Sequence, residues 1–208
     1  VRIIGSSDQR RSAIITAAIA VLTSDGIAAT TTRKIAKTAG VNQAMLGYYF
    51  GSKDELLFAV LEELMQQTRA IAQELWTNQH DLRTLIAESI TAFWATVERQ
   101  PEVQTMQLEL TLYALRQPSS AWLAKQQYAG YGGVIAQLFQ DGCATTGQTC
   151  AVPFDVLARF VMGGLDGLIL QFISDRDVAR ARIDLAYFIA AVIALAEGTT
   201  PATAQESR

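Results

Sequence analysis

Residues 30–53 read TTTRKIAKTAGVNQAMLGYYFGSK, and the side chains of this stretch suit contact with a polyanion and with the edges of bases. Thr31, Thr32 and Arg33 stand where a short helix would begin, so free backbone N–H groups, the positive end of the helix dipole, two hydroxyls and a guanidinium converge on one anion-attracting corner. Lys53 opens the next long helix in the same way, and Tyr48 and Tyr49 offer phenolic donors. Contacts of this kind set the register of a protein on a duplex without reading its sequence. Base edges need a different chemistry. The amides of Asn42 and Gln43 can pair bidentately with adenine, and Ala44 or Met45 can touch a thymine methyl group.

The elements that must position these groups are helices. Thr31 or Thr32 caps a first short helix ending at Gly40, and Asn42 caps a second that runs to Phe50 and stops at Gly51. Two short helices bury little alone, so Ile35, Ala36, Ala39, Val41, Leu46 and Phe50 must pack inward against each other and an earlier helix. At about 100° per residue, turning Leu46 and Phe50 inward leaves Ala44 and Tyr48 outward, with Gln43, Met45 and Gly47 on the flanks. That slim face suits a major groove about 12 Å wide. Upstream, Ser6-Ser7-Asp8-Gln9 makes a capping pattern for a helix bearing Ile14, Ala17, Ala18, Val21 and Leu22, stopped by Asp25-Gly26. Downstream, Ser52-Lys53-Asp54-Glu55 is a second capping box.

Charge supports this division of labour. The 208 residues carry 17 basic and 20 acidic side chains, a net of −3. Through Lys53 there are seven basic and two acidic residues, a net of +5, and the remaining 155 carry ten basic and 18 acidic, a net of −8. A basic head on an acidic body points to a polyanion partner for the head alone. With half of the chain hydrophobic, a folded core is expected rather than disorder. One histidine and two cysteines, Cys143 and Cys150, leave no metal-ligand cluster, so no metal and no cofactor are expected. VRIIGSSDQRR shows no secretory signal, and the apolar stretches 161–173 and 187–196 fall short of the roughly 20 residues that cross a bilayer. The expectation is a cytoplasmic protein with no membrane partner.

The string as a whole resembles the DNA-binding domain of the tetracycline-repressor (TetR) family. The matching residues are Thr31, Thr32, Ile35, Ala36, Ala39, Gly40, Val41, Leu46, Tyr49, Phe50, Ser52, Lys53, Glu55 and Leu56, within a stretch from about Arg10 to Leu64. Gly47 departs from the tyrosine common at its place in the family; an interior glycine also loosens a helix by about 1 kcal/mol relative to alanine. The resemblance implies an all-α fold: a three-helix helix-turn-helix domain over 8–53 with its motif at 31–50, a linking helix 53–76, and a C-terminal effector-binding and dimerisation domain over 77–197. Residues 198–208 have the composition of a disordered tail.

Within that body the residues are read on their own terms. Helices are expected at 81–99, 102–116, 122–141, 154–174 and 178–197, with Ser119 or Ser120 capping the third, Gly130, Gly132 and Gly133 weakening or kinking it, and a polar loop over 142–152. Trp94, Met106, Gln107, Leu110, Tyr113, Tyr128, Tyr131 and Met162 form an aromatic and methionine-rich set fit for an apolar, aromatic or cationic effector. Phe154, Leu157, Val161, Leu165, Leu168, Phe172, Ile189 and Ile193 form apolar stripes read as a homodimer interface, with Gly163, Gly164 and Gly167 permitting close approach. His80 and the nearby acidic residues read as solvated helix faces, with no nucleophile motif beside them. The expected function is a ligand-responsive homodimeric repressor on double-stranded DNA with a near-palindromic operator. An activator of the same fold is the nearest alternative, and a small-molecule-binding helical protein or all-α enzyme a more distant one.

Overall fold

The computed structural model describes residues 7–76 and 81–199, the side chains at 72 and 74–76 excepted. Ser6 of the first capping pattern, His80 and the tail from residue 200 lie outside the described residues. Among the described residues there are nine α-helices, one 3-10 turn and no strand, the all-α class expected. The helices are α1 (Ser7–Ala29), α2 (Thr32–Ala39), α3 (Gln43–Phe50), α4 (Lys53–Trp76), α5 (Leu82–Arg99), α6 (Pro101–Arg116), α7 (Ala121–Thr146), α8 (Phe154–Asp175) and α9 (Val178–Glu197). Two compact units share them: residues 7–67 with 100–129, and residues 68–76 and 81–99 with 130–199.

In the first unit α1 buries Ile14, Ile15, Ala17, Ala18, Val21 and Leu22 and packs on α2 and α6. Its last turn is offset by Gly26, whose φ of 74° and ψ of 166° no L side chain adopts comfortably. Leu56, Leu57, Ala59, Val60 and Leu61 of α4 complete this core, and Met106, Leu110 and Ala114 are the buried apolar face of α6. Pro101 at the first position of α6 is preset for helix initiation and lacks only an N–H that would go unpaired there.

The segment after α6 departs from expectation. Residues Pro118–Ser120 form a 3-10 turn, and Ser120 is buried with its hydroxyl donating to Asp54 Oδ2 at 2.5 Å. Helix α7 continues past Gly130, Gly132 and Gly133 to Thr146, which shortens the following loop to 147–153. Two glycines of this helix permit close approach. A β-carbon on Gly132 would lie 3.3 Å from Met162 Cε, and one on Gly142 would lie 2.4 Å from Leu85 Cδ2.

In the second unit α5 buries Leu82, Leu85, Ile86, Ile90, Trp94 and Val97 and packs on α9. Bidentate guanidinium pairs join the two helices at both ends, Arg83 to Glu197 and Arg182 to Glu98. The α8–α9 pair is close because Gly164 has no side chain: a β-carbon there would lie 2.1 Å from the Phe188 ring. Arg176 (φ 58°) ends α8 in the left-handed conformation, and the Asp177 carboxylate caps α9 by accepting from Arg180 N–H.

Two sequence expectations change in this light. Helices Ser7–Ala29 and Phe154–Asp175 are, by length and composition, apolar and long enough to cross a bilayer; α8 begins seven residues before the apolar stretch 161–173, and α1 lies outside both stretches. Both bury one face inside the protein, as core helices do, and α8 carries Asp155, Arg159 and Asp166. The second change concerns the apolar stripes. Leu157, Val161, Leu165, Phe172 and Ile193 are buried within the protomer, while Phe154, Leu168 and Ile189 are half-buried. The side chains that α8 and α9 turn outward are Val156, Phe160, Leu170, Val178, Ile183 and Tyr187. Periodicity finds an apolar stripe but cannot say which of two apolar faces points out.

Candidate nucleic-acid interface

The corner where α2 begins is built by its own side chains. Thr31 caps α2, its Oγ1 accepting from Lys34 N–H at 3.2 Å, and Gly40 ends the helix in the left-handed conformation. Asn42 caps α3, its Oδ1 accepting from Ala44 N–H at 3.0 Å. With Ile35, Ala36, Ala39, Leu46 and Phe50 buried, the two helices are held by their inner faces only.

The outward face of α3 is the expected one. Gln43, Ala44, Gly47 and Tyr48 are exposed, Met45 and Tyr49 are half-buried, and Tyr48 reaches 82% exposure. Tyr48 stands edge-on to Tyr49 with ring centroids 5.1 Å apart. Apart from its chain neighbours and its own helical backbone, nothing lies within 4 Å of where a Gly47 β-carbon would sit, so the glycine is not required by packing. Around this face lie Thr31 and Arg33, both exposed, and half-buried Thr32. Gln43 Nε2 donates to Thr32 Oγ1 at 3.1 Å, a link between the two helix starts that no sequence pattern signalled.

Lys53 is more engaged than its sequence position suggests. Its Nζ donates to the Thr30 carbonyl at 3.4 Å and lies 5.6 Å from the centroid of the Tyr113 ring. Arg11, on α1, places its guanidinium 5.4 Å from the centroid of the Phe50 ring, adding a cation beside the end of α3 that sequence reasoning did not single out. Asp25 pairs with Lys34, and hydrogen bonds from Lys34 and then Ser24 hold its carboxyl below the usual carboxylate range.

Helix α6 is tied to this head at two places. Glu109 Oε2 accepts from Ile27 N–H at 3.1 Å, capping the short turn that follows the Gly26 kink from a position 82 residues away. Asp54, in the first turn of α4, accepts from Tyr113 O–H at 3.3 Å and from Ser120 O–H. Neither tie is visible in the sequence, because each joins residues more than 50 positions apart.

The chain's relatives agree with this geometry. Residues 14–60 match the bacterial regulatory proteins of the tetR family. Over 139 residues the chain is 32% identical to the HTH-type transcriptional regulator BetI of Brucella anthropi, an alignment covering 60% of this chain and 71% of that protein. The chain belongs to the tetR family. This TetR-family protein is therefore a helix-turn-helix, DNA-binding transcriptional regulator, with α2 and α3 as its motif. It is also 29% identical over 170 residues to the HTH-type nicotine-responsive transcriptional repressor HdnoR of Paenarthrobacter nicotinovorans, covering 82% of this chain and 87% of that one. The fold is that of FadR from Bacillus subtilis, solved in complex with stearoyl-CoA, at a TM-score of 0.68 and 20% identity, covering 90% of this chain and 98% of that one.

The residues expected from the sequence to line an effector site divide between the units. Met106, Gln107, Leu110, Tyr113 and Tyr128 belong to the first, Trp94, Tyr131 and Met162 to the second. Met106 and Leu110 are core, and the Tyr113 hydroxyl is committed to Asp54. Trp94 is 2% exposed, donates its indole N–H to Glu98 Oε1 at 3.1 Å and packs on Phe172, the behaviour of a core aromatic. Tyr131 is half-buried, and burial raises its phenol above the ordinary tyrosine value. Met162, half-buried, lies over Gly132.

Proposed function

We propose that this regulator is a homodimeric repressor released from a near-palindromic operator by a small, largely apolar or aromatic effector. The observation that carries the reading is the face of α3: Gln43, Ala44 and Tyr48 stand exposed beside Thr31 and Arg33 while Leu46 and Phe50 anchor the helix from behind. In the roles proposed here, Thr31, Thr32, Arg33, Tyr48, Tyr49 and Lys53 grip phosphates, and Gln43, Ala44 and Met45 meet bases. Asn42 contributes chiefly as a cap, since its carbonyl oxygen is already used there.

Two such heads on a two-fold axis read half-sites about one helical turn apart. The outward apolar residues Phe160, Leu170, Ile183 and Tyr187 of α8 and α9 support association through those helices, since an exposed apolar patch of this kind marks an interaction surface. Release by an effector is supported by the nicotine-responsive repressor to which 82% of the chain aligns. In this reading residues 77–197 bind the effector, and Tyr131 with Met162 line its site. An effector shifts the population toward the DNA-free posture only by binding that posture more tightly. Helix α6 transmits the shift, because Glu109 and Tyr113 connect it to the Gly26 turn of α1 and to the first turn of α4.

The test uses the full chain. A site is selected from random duplex DNA, binding is followed by gel shift over a range of salt, and apolar and aromatic amines are then titrated in. The expected result is a two-fold symmetric site, steep salt dependence, and release by at least one such amine. Absence of salt-sensitive binding to any enriched duplex would overturn the reading.

A further inference from the structure

We propose that Thr32 is a positioning residue that orients the Gln43 amide and couples base reading to the grip on the phosphate backbone. The proposal rests on the DNA-contacting reading of α3 given above. Gln43 Nε2 donates to Thr32 Oγ1 at 3.1 Å, joining the first residue of α3 to the first residue of α2. Gln43 is exposed and Thr32 only half-buried, so core packing does not force the pair together.

The chemistry of the two groups gives the bond a consequence. A primary amide has two N–H hydrogens and one carbonyl oxygen. With one hydrogen held by Thr32, the nitrogen is fixed on the α2 side, and the second hydrogen and Oε1 remain for the N7 and N6 positions of an adenine. A flexible glutamine is thereby ordered before the DNA arrives, which lowers the rotamer entropy lost on binding. The Thr32 oxygen accepts in this bond, so its own hydrogen can donate to a phosphate. One oxygen then touches both the backbone grip and the base reader, and a displaced phosphate is felt at the base. Asn42 has less freedom, because its Oδ1 already accepts from Ala44 N–H and the cap fixes the direction in which the amide points.

The test selects a site from random duplex DNA with the wild-type full chain. It then measures binding to that site and to each single-base variant for wild type, Thr32→Val, Thr32→Ser, Gln43→Ala and Thr32→Val/Gln43→Ala. Valine keeps the branched shape without the hydroxyl, serine keeps the hydroxyl, and Arg33→Ala serves as a pure phosphate-contact control. The expected result is that Thr32→Val loses about five- to tenfold of discrimination at the base pair where Gln43→Ala relaxes it, and nowhere else. The double variant should then match Gln43→Ala at that pair, Thr32→Ser should retain discrimination, and Arg33→Ala should weaken all sites alike with a shallower salt slope. Equal weakening of every site by Thr32→Val, or an unchanged ranking of sites for Gln43→Ala, overturns the proposal while leaving DNA binding intact. If wild type enriches no sequence, the DNA-binding reading fails and this proposal with it.

Discussion

The helix-turn-helix motif and the α8–α9 pair are both built from helices packed face to face, yet they yield to inspection very differently. In α2 the inner positions are apolar and the outer ones charged or polar, so burying Ile35, Ala36 and Ala39 leaves one possible outward face; the short α3, apolar on more than one side, is oriented by packing on α2 through a tight turn. In α8 and α9 both faces are apolar. Leu157, Val161, Leu165 and Phe172 turn in, while Val156, Phe160, Leu170 and Tyr187 turn out. Where the polarity contrast across a helix is strong, orientation follows from pattern, and where it is weak, only the packing partner decides.

The strongest way to break this comparison is to exchange the roles of the two α8–α9 faces. Phe160→Glu/Tyr187→Glu should leave helix content and melting nearly unchanged yet make the chain monomeric by sedimentation, with operator affinity down by about 100-fold or more. Leu157→Ala, at a position with 0% exposure, should do the reverse, costing about 2–5 kcal/mol in urea denaturation while the surviving folded protein still associates. If the Leu157 variant dissociated the protein without destabilising it, the inward assignment would be wrong.

A smaller effect is expected at the junction between head and α6. Gly26 has positive φ, and a β-carbon there would lie 3.0 Å from Glu109 Oε2. Gly26→Ala should therefore cost about 1–3 kcal/mol in urea denaturation by strain and by loosening the Glu109 cap. Smaller again, and of opposite sign, is Gly47→Ala. The glycine lies inside α3 in open space, so alanine should raise stability by up to about 1 kcal/mol, read as a higher melting temperature.

The smallest predicted effect is a pH dependence in the second unit. Hydrogen bonds from Arg182, with a lesser one from Trp94, hold the Glu98 carboxyl below the ordinary glutamate range despite the opposing effect of burial. A folded-state pKa below the unfolded one means that the pair stabilises fully above the unfolded value and stops doing so as pH falls through the folded value. Melting temperatures taken from pH 6 down to pH 3 should accordingly drop more steeply for wild type than for Arg182→Gln below about pH 4.3. Parallel curves would remove the pair from the acid response.

Local chemistry made much of the head legible. Thr31 and Asn42 cap, Gly40 and Gly51 stop, and Ser52 accepts from Glu55 N–H as its capping box required. Each of these relations spans a few residues, so the chain carries it without reference to anything distant. The glycines of α7 show the complementary case: a glycine weakens an isolated helix, and only the folded chain shows that Gly132 and Gly142 stand where Met162 and Leu85 come close. Likewise Ser120, a cap by position, also donates to Asp54, and Tyr113, an effector handle by composition, bonds the same carboxylate.

By itself the sequence determined the helical class, the order of the helices, the caps and stops of the motif, and the basic head on an acidic body, since all of these follow from residue type and short spacing. Tertiary structure alone decided which apolar face of α8 and α9 is core, that Glu109 caps a turn 82 residues away, and that Thr32 holds the amide of Gln43. Those facts depend on which segments meet in space, and a period of 3.6 residues carries no information about the partner on the other side.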